Sequence, residues 1–361
     1  MNIGGREIGL RHPPYVIAEL GVNHDGSVER ALELTRAAAS AGADAVKLQL
    51  FETDRLMSQA AKLAAYQRAA GETDPLAMLR RLELGIDDMA RVVDLSQQLG
   101  IHAIVTVFSV ELVKVAELLP WDAYKTASPD IVHRPLLDAL ASTGKPLIVS
   151  TGASTMEEIV RAVAWLTAAR AEGRFALLQC VSCYPTPDDR AELGVIRQMI
   201  DTFHRPIGYS DHTVGIAAAM HAAFAGASIL EKHFTYDPHA AGPDHRASLT
   251  RTMFEEYVKS AHRGAAKRLD PGAPEAVAML LQHQGRTKHV LDIERDVREV
   301  SRQSIVTAQA MKRGTILTRA DLTFKRPGTG LLPYQIDEVI GEQLAQDVLA
   351  DVPLTTGDLV A

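Results

Sequence analysis

The strongest constraint in this chain is an alternation. Short apolar runs recur at 15–20, 45–50, 101–108, 123–127, 146–150, 175–181, 206–209 and 228–233. Segments with helical spacing of apolar residues lie between many of them, at 28–41, 89–99, 134–142, 156–169 and 216–225. Glycine stands just past several of these segments, at Gly42, Gly100, Gly144 and Gly226, where a helix commonly ends. Short strands alternating with helices over about 250 residues predict an α/β fold, a (β/α)8 TIM barrel. A doubly wound open sheet is the alternative.

The remainder of the 361 residues reads differently. The stretch 252–284 is polar with helical spacing, broken at Asp270-Pro271-Gly272. Charges of mixed sign from 286 to 302 read as a linker or surface segment. A unit of about sixty residues follows, with short apolar pieces and turns at Arg313-Gly314 and Pro327-Gly328. The predicted organisation is therefore a barrel over 1–285, a linker over 286–302 and a small domain over 303–361.

Charge and composition exclude several classes. There are 38 Lys and Arg against 45 Asp and Glu, a net charge of −7 with no dense basic block, which argues against general nucleic-acid binding. Two cysteines suggest a reducing compartment. Residues 1–14 have no apolar core of signal-peptide length, and no run approaches the roughly 18 apolar residues of a membrane span. The expectation is a cytoplasmic protein with a large core.

In a barrel the catalytic groups sit at the C-terminal ends of the strands. Here those ends are polar. The first strand ends in Glu19, with Asn23 and His24 beyond it. The second carries Lys47 and Gln49, which alternation puts on one face, away from Val46, Leu48 and Leu50. Thr106 lies on the third strand, and Lys125, then Ser128 and Asp130, on or after the fourth. Ser150-Thr151-Gly152 ends the fifth, while Ser182, Cys183 and Tyr184 follow the sixth. Ser210-Asp211-His212 ends the seventh, and the eighth holds Glu231, Lys232 and His233. Buried unpaired charge is costly, so Lys47 and Lys125 in central strands point to an anion site. His212 and His233, at the ends of adjacent strands, suit a divalent metal with open positions. The other reading makes His212 a helix cap and His233 a satisfied core residue. His204, His221, His239, His245 and His262 lack such placement and read as structural or surface groups. Cys180 and Cys183 form a lone Cys-x-x-Cys without a second pair, more consistent with small residues beside the site than with a zinc or redox centre. Glycine-rich phosphate motifs are absent, so any phosphate must be held by side chains.

Six strings occur in order: AELGVNHDG (18–26), VKLQ (46–49), GYSDHTVG (208–215), EKHFT (231–235), GPDHRASL (242–249) and KRPGTG (325–330). Together they resemble the sialic acid synthase family. The resemblance implies a TIM barrel followed by a small SAF (antifreeze-like) domain. It also implies condensation of phosphoenolpyruvate with an N-acylated hexosamine to give a nine-carbon 2-keto acid and phosphate. By the same resemblance, His212 and His233 hold Mn2+ or Mg2+, and Lys47, Gln49, Thr106, Lys125, Ser128, Ser182 and Ser210 bind phosphoenolpyruvate. Tyr184 and Asp244 contact the amino sugar. Arg326 is donated across a domain-swapped homodimer. Glu19 or Asp130 moves a proton of the attacking water. In the family's chemistry, carbon 3 of phosphoenolpyruvate attacks the sugar aldehyde, polarised by the metal. Water adds at carbon 2 and phosphate leaves with C–O cleavage.

Four positions depart from the family pattern: Asp130 replaces a glutamate, Ser182 an asparagine, Val107 a proline and Gln179 a histidine. They bear on the base and the substrate, not on the metal or phosphate lysines. Two other functions remain open at this point. One is a related barrel synthase making a seven- or eight-carbon keto acid, which would lack the KRPGTG domain. The other is a non-catalytic sugar-binding homologue, which would have lost the lysines and histidines. The sugar is N-acetylmannosamine or a 2,4-diacetamido-trideoxyhexose. The segment 64–84 resembles the bacterial neuraminate and legionaminate branch.

Overall fold

The computed structural model describes residues 1–268 and 287–360. It begins with a small hairpin of β1 (Asn2–Ile3) and β2 (Arg6–Glu7). Eight parallel strands follow: β3 (Tyr15–Glu19), β4 (Ala45–Leu50), β5 (His102–Val107), β6 (Ala123–Thr126), β7 (Leu147–Ser150), β8 (Phe175–Cys180), β9 (Ile207–Asp211) and β10 (Ile229–His233). They lie in chain order, and β10 pairs with β3 to close the barrel. The TIM barrel is therefore observed, with each predicted strand within a few residues of its predicted position.

Alternation along each strand separates two cores. Outward residues such as Val46, Leu48, Val105, Tyr124, Val149, Leu177 and Leu230 are buried under the helices. Inward residues change character with height. At the N-terminal end Ile17, Ala45, Ile104, Ala123, Ile148, Ala176 and Ile229 form an apolar floor, closed below by Ile3 and Ile8 of the hairpin region. One step further along the same strands the inward residues are Glu19, Lys47, Thr106, Lys125, Ser150 and Glu231, all buried. The floor excludes water from below, and the roof carries the polar groups.

Helices start on local signals. Ser27 caps the helix Val28–Ser40 by accepting from the Arg30 amide, and Thr155 with Glu158 forms a capping box at Met156–Ala168. Several helices, among them Ala65–Ala69, Pro75–Leu82, Val110–Ala116 and Gly194–Phe203, were not anticipated from the sequence. The helix Arg251–Arg268 agrees with the polar helical stretch, whereas the expected break at Asp270-Pro271-Gly272 lies outside the described residues. No helix among the described residues is long and apolar enough to cross a membrane.

The small domain pairs β11 (Ser304–Thr307) with β12 (Leu322–Lys325) in antiparallel register around its own core of Ile305, Leu317, Phe324, Val339, Leu344 and Leu354. It docks on the barrel through backbone bonds. The Arg326 amide donates to Leu56 O at 2.8 Å, and the Ser58 amide donates to Arg326 O at 3.0 Å.

The charged segment expected as a linker is a correction. Its first residue, Arg286, lies outside the described residues, but from 287 the chain packs against the barrel. Lys288, Glu294 and Arg302 are buried. Arg298 and Arg302 both grip Glu158, at 2.8 Å each to one carboxylate oxygen. Lys288 donates to Gln179 Oε1 and Cys180 O, both at 3.1 Å. Mixed charge reads as solvated only when its partners are near in sequence; here they lie more than a hundred residues away.

Candidate active site

A cleft opens at the C-terminal end of the barrel, and the small domain covers one side of it. Among the residues singled out from the sequence, the structure brings Glu19, Lys47, Gln49, Thr106, Lys125, Ser128, Ser182, Tyr184, Ser210, His212, His233, Asp244 and Arg326 to its walls. Asp130 is the exception.

The charged centre is compact. Lys47 pairs with Glu19 directly and stands 3.6 Å from Glu231, and Lys125 stands 3.2 Å from Glu231. Lys47 also donates to Thr106 Oγ1 at 2.9 Å, and Ser210 donates to Glu231 Oε1 at 2.9 Å. Burial pushes Lys47 down to about 7, with the Lys125 charge adding and Glu231 opposing. Burial works to raise Glu231, yet the charges of Lys125 and Lys47 bring it to about 2. Two lysines and two carboxylates thus balance without a ligand. An incoming anion would displace carboxylate contacts and leave excess negative charge nearby.

Glu231 is the principal group that the sequence reading names on its strand but gives no role. The available signal was alternation: with His233 facing inward, residue 231 must do so too. Ser150 was likewise noted only as a strand end. Its buried hydroxyl lines the cleft and has no protein partner. Tyr66 was not foreseen at all; its ring stacks on Tyr184 with centroids 4.8 Å apart, from a segment without regular spacing.

The two histidines stand beside this centre, ring centroids 5.5 Å apart. His212 Nδ1 lies 3.0 Å from Val181 O. A carbonyl only accepts, so Nδ1 carries the proton and Nε2 keeps its lone pair. Burial pushes His212 down to about 4, and pushes His233 well below its ordinary value, with the His212 and Lys47 charges adding. His233 Nδ1 has no hydrogen-bond partner and lies 4.0 Å from Asp244 Oδ2. Among the described residues no group of three or more His, Cys, Asp or Glu side chains is arranged to hold a metal. His212 and His233 alone would offer an ion two neutral imidazole nitrogens, fewer donors than the three protein ligands of an ordinary catalytic site.

Asp130 is buried behind the wall. Gln303 donates to its Oδ1 at 3.1 Å, and its Oδ2 has no partner. Burial pushes its carboxyl up to about 7, against the Arg326 charge and the Gln303 hydrogen bond. Its neighbourhood is the small domain rather than the open cleft. Arg326, expected from a second subunit, lines the cleft of its own chain here, its guanidinium 5.5 Å from the Phe108 ring. Of the remaining histidines, His245 is buried and bridges Thr235 and Asp25, tying the loop after β10 to the loop after β3. Cys180 and Cys183 are both free.

Comparison with known proteins decides the family. A model described as the NeuB family matches residues 34–270, and one described as the SAF domain matches residues 302–360. The chain belongs to the NeuB family. It is similar to the N,N'-diacetyllegionaminic acid synthase of Legionella pneumophila, with 33% identity over 94% of this chain and 93% of that protein. The solved spore coat polysaccharide biosynthesis protein SpsE of Bacillus subtilis superposes with a TM-score of 0.82 at 27% identity, covering 100% of this chain and 99% of that one. A sialic acid synthetase from Leptospira borgpetersenii, solved with citrate, gives a TM-score of 0.67 at 30% identity over 80% of this chain and 98% of its own. This NeuB-family chain is accordingly an enzyme with a TIM barrel and a C-terminal SAF domain.

Proposed function

We propose that the enzyme condenses phosphoenolpyruvate with an N-acylated hexosamine, giving a nine-carbon 2-keto acid and phosphate. The observation that carries this reading is the charged centre: two buried lysines and a set of hydroxyls face one cleft, with two neutral imidazoles alongside. Such a set is suited to a small polyanion reacting beside a Lewis acid. The names of its relatives support the same class of product.

In this reading Lys47 and Lys125 leave their carboxylate partners to oppose phosphate and carboxylate. Thr106, Ser128, Ser150, Ser182 and Ser210 supply hydroxyl contacts, and Gln49 is held by its bond to Gly21 O at 2.9 Å. His212 and His233 would hold Mn2+ or Mg2+, which supplies Lewis acidity toward the aldehyde oxygen when bound. Tyr184, stacked on Tyr66 and tilted against His212, and Asp244 face the sugar. Arg326 offers a guanidinium fork to sugar oxygens. Carbon 3 of phosphoenolpyruvate bonds to the aldehyde carbon while the C=O π pair moves to the aldehyde oxygen, which takes up a proton from solvent to become the hydroxyl. Water then adds at carbon 2, and the carbon 2–oxygen bond to phosphate breaks. Glu19, in the cleft and freed from Lys47 by the incoming anion, takes the water's proton. Asp130, away from the cleft and bonded by Gln303, is not placed to take that proton. The sugar is N-acetylmannosamine or a 2,4-diacetamido-trideoxyhexose, and the active unit is a homodimer.

Phosphate release from phosphoenolpyruvate with a panel of acylated hexosamines tests the reaction. Dependence of release on one of these sugars is expected. His212→Ala and His233→Ala should each abolish turnover, and chelation should do so reversibly. Full turnover in metal-free protein would remove the metal from the reading.

A further inference from the structure

One buried carboxylate lies beneath the cleft and belongs to none of the groups above. Glu294 sits at the start of the helix Arg295–Ser301, in the segment that sequence reasoning made a linker. It is 1% exposed. Its Oε1 accepts from the Ala153 amide at 2.7 Å and from the Ser182 amide at 2.8 Å. Its Oε2 accepts from the Leu291 amide at 3.0 Å. Two of those three amides belong to the loops that leave β7 and β8, which are neighbouring strands of the barrel.

Those two loops are packed with little slack. The Gly152 amide donates to Ser128 Oγ at 2.9 Å. A Cβ on Gly152 would stand 2.3 Å from Ser182 Oγ and 2.8 Å from Ser128 Oγ. Both hydroxyls line the cleft. The backbone at 152–153 and at 182 must therefore stay in one relative position for both hydroxyls to face the cleft. Neither loop has a strand partner there, and one carboxylate oxygen bridges their two amides.

We propose that Glu294 is a positioning residue for the anion-binding hydroxyls: it clamps the Ala153 and Ser182 amides and so sets Ser128 and Ser182 against phosphoenolpyruvate. This rests on the reading of the cleft given above. Glu294 itself does not reach substrate. The clamp comes from the segment next to the small domain, so that segment completes the anion half of the site as Arg326 completes the sugar half.

A carboxylate-to-alanine change leaves three buried amides without acceptors, whereas glutamine keeps a carbonyl oxygen for the bridging pair. Glu294→Ala should raise the KM for phosphoenolpyruvate roughly tenfold or more, with the KM for the hexosamine within about twofold. Glu294→Gln should restore most of the difference. A general loss of structure would move both KM values or only kcat. Should the alanine protein fail to fold, Glu294→Asp is read in the same way, since it withdraws the oxygens by one methylene. Calorimetric titration with phosphoenolpyruvate, with Lys125→Met alongside, separates the two claims. If Lys125→Met weakens binding and the Glu294 variants do not, or if both KM values rise together, the clamp is overturned and the reading of the cleft stands. If Lys125→Met binds phosphoenolpyruvate as tightly as the parent, that reading falls and the clamp falls with it.

Discussion

Lys47 and Lys125 face the same cleft but differ in what surrounds them. Lys47 touches Glu19, and burial brings it to about 7. A lowered lysine loses its charge as pH rises through that value, so anion binding by the free enzyme should weaken on the alkaline side. The profile of kcat/KM for phosphoenolpyruvate reports the free enzyme. It should fall as pH rises past about 7, and Lys47→Met should be low and flat over the same window. A parent profile that stays level from about pH 6 to 9 would assign the charge elsewhere. Most of these side chains were legible in the sequence because strand alternation gives each inward residue an inward neighbour two positions away. Glu231 follows from His233 by that rule. Tyr66 follows from no rule, since its position depends on how an irregular 53–82 excursion folds back over the cleft.

At the scale of elements, the strands were legible and the connections less so. β4 and β5 advertise themselves through six-residue segments rich in apolar and β-branched residues, while Gly194–Phe203 starts at a glycine with no side-chain cap and so shows no start signal. The packing of the segment 287–302 is illegible for a different reason: its charges are partnered across the fold. Glu158 illustrates the energetic result. Burial would raise its carboxyl, but the hydrogen bonds from Arg302 and Arg298 outweigh burial and bring it to about 2. A depressed carboxyl contributes stability that is full above its unfolded value of about 4.3 and is lost as pH falls toward the folded value. Docking of this segment should therefore loosen between about pH 4.5 and 2. Hydrogen exchange at the 295–301 amides should rise in that window before the barrel strands exchange, and Glu158→Gln should show the rapid exchange already at neutral pH. Equal protection of this helix and the barrel down to about pH 2 would refute the assignment.

For the whole molecule, the 287–302 segment and the small domain are consecutive in the chain, and they bring Glu294 and Arg326 to the same end of the barrel. In a homodimer with exchanged domains, a mixture of Arg326→Ala chains and His233→Ala chains should recover activity, because some mixed dimers unite an intact barrel with an intact arginine. If subunits are shown to exchange and no activity returns, the arginine serves its own chain, as in the single-chain arrangement described above. The last strand adds something of another kind. β10 carries Glu231 and His233 inward, and between them Lys232 outward, fully buried against Asp211 and the Thr213 carbonyl. A slip of one residue would turn Lys232 into the cleft and strand His233 and Glu231 among the helices. Each displaced group would then be buried without its partner, a heavier cost than any shift of apolar residues. The final seam of the barrel, between β10 and β3, is thus proofread by charge against the one-residue slip that would reverse the two faces of the strand.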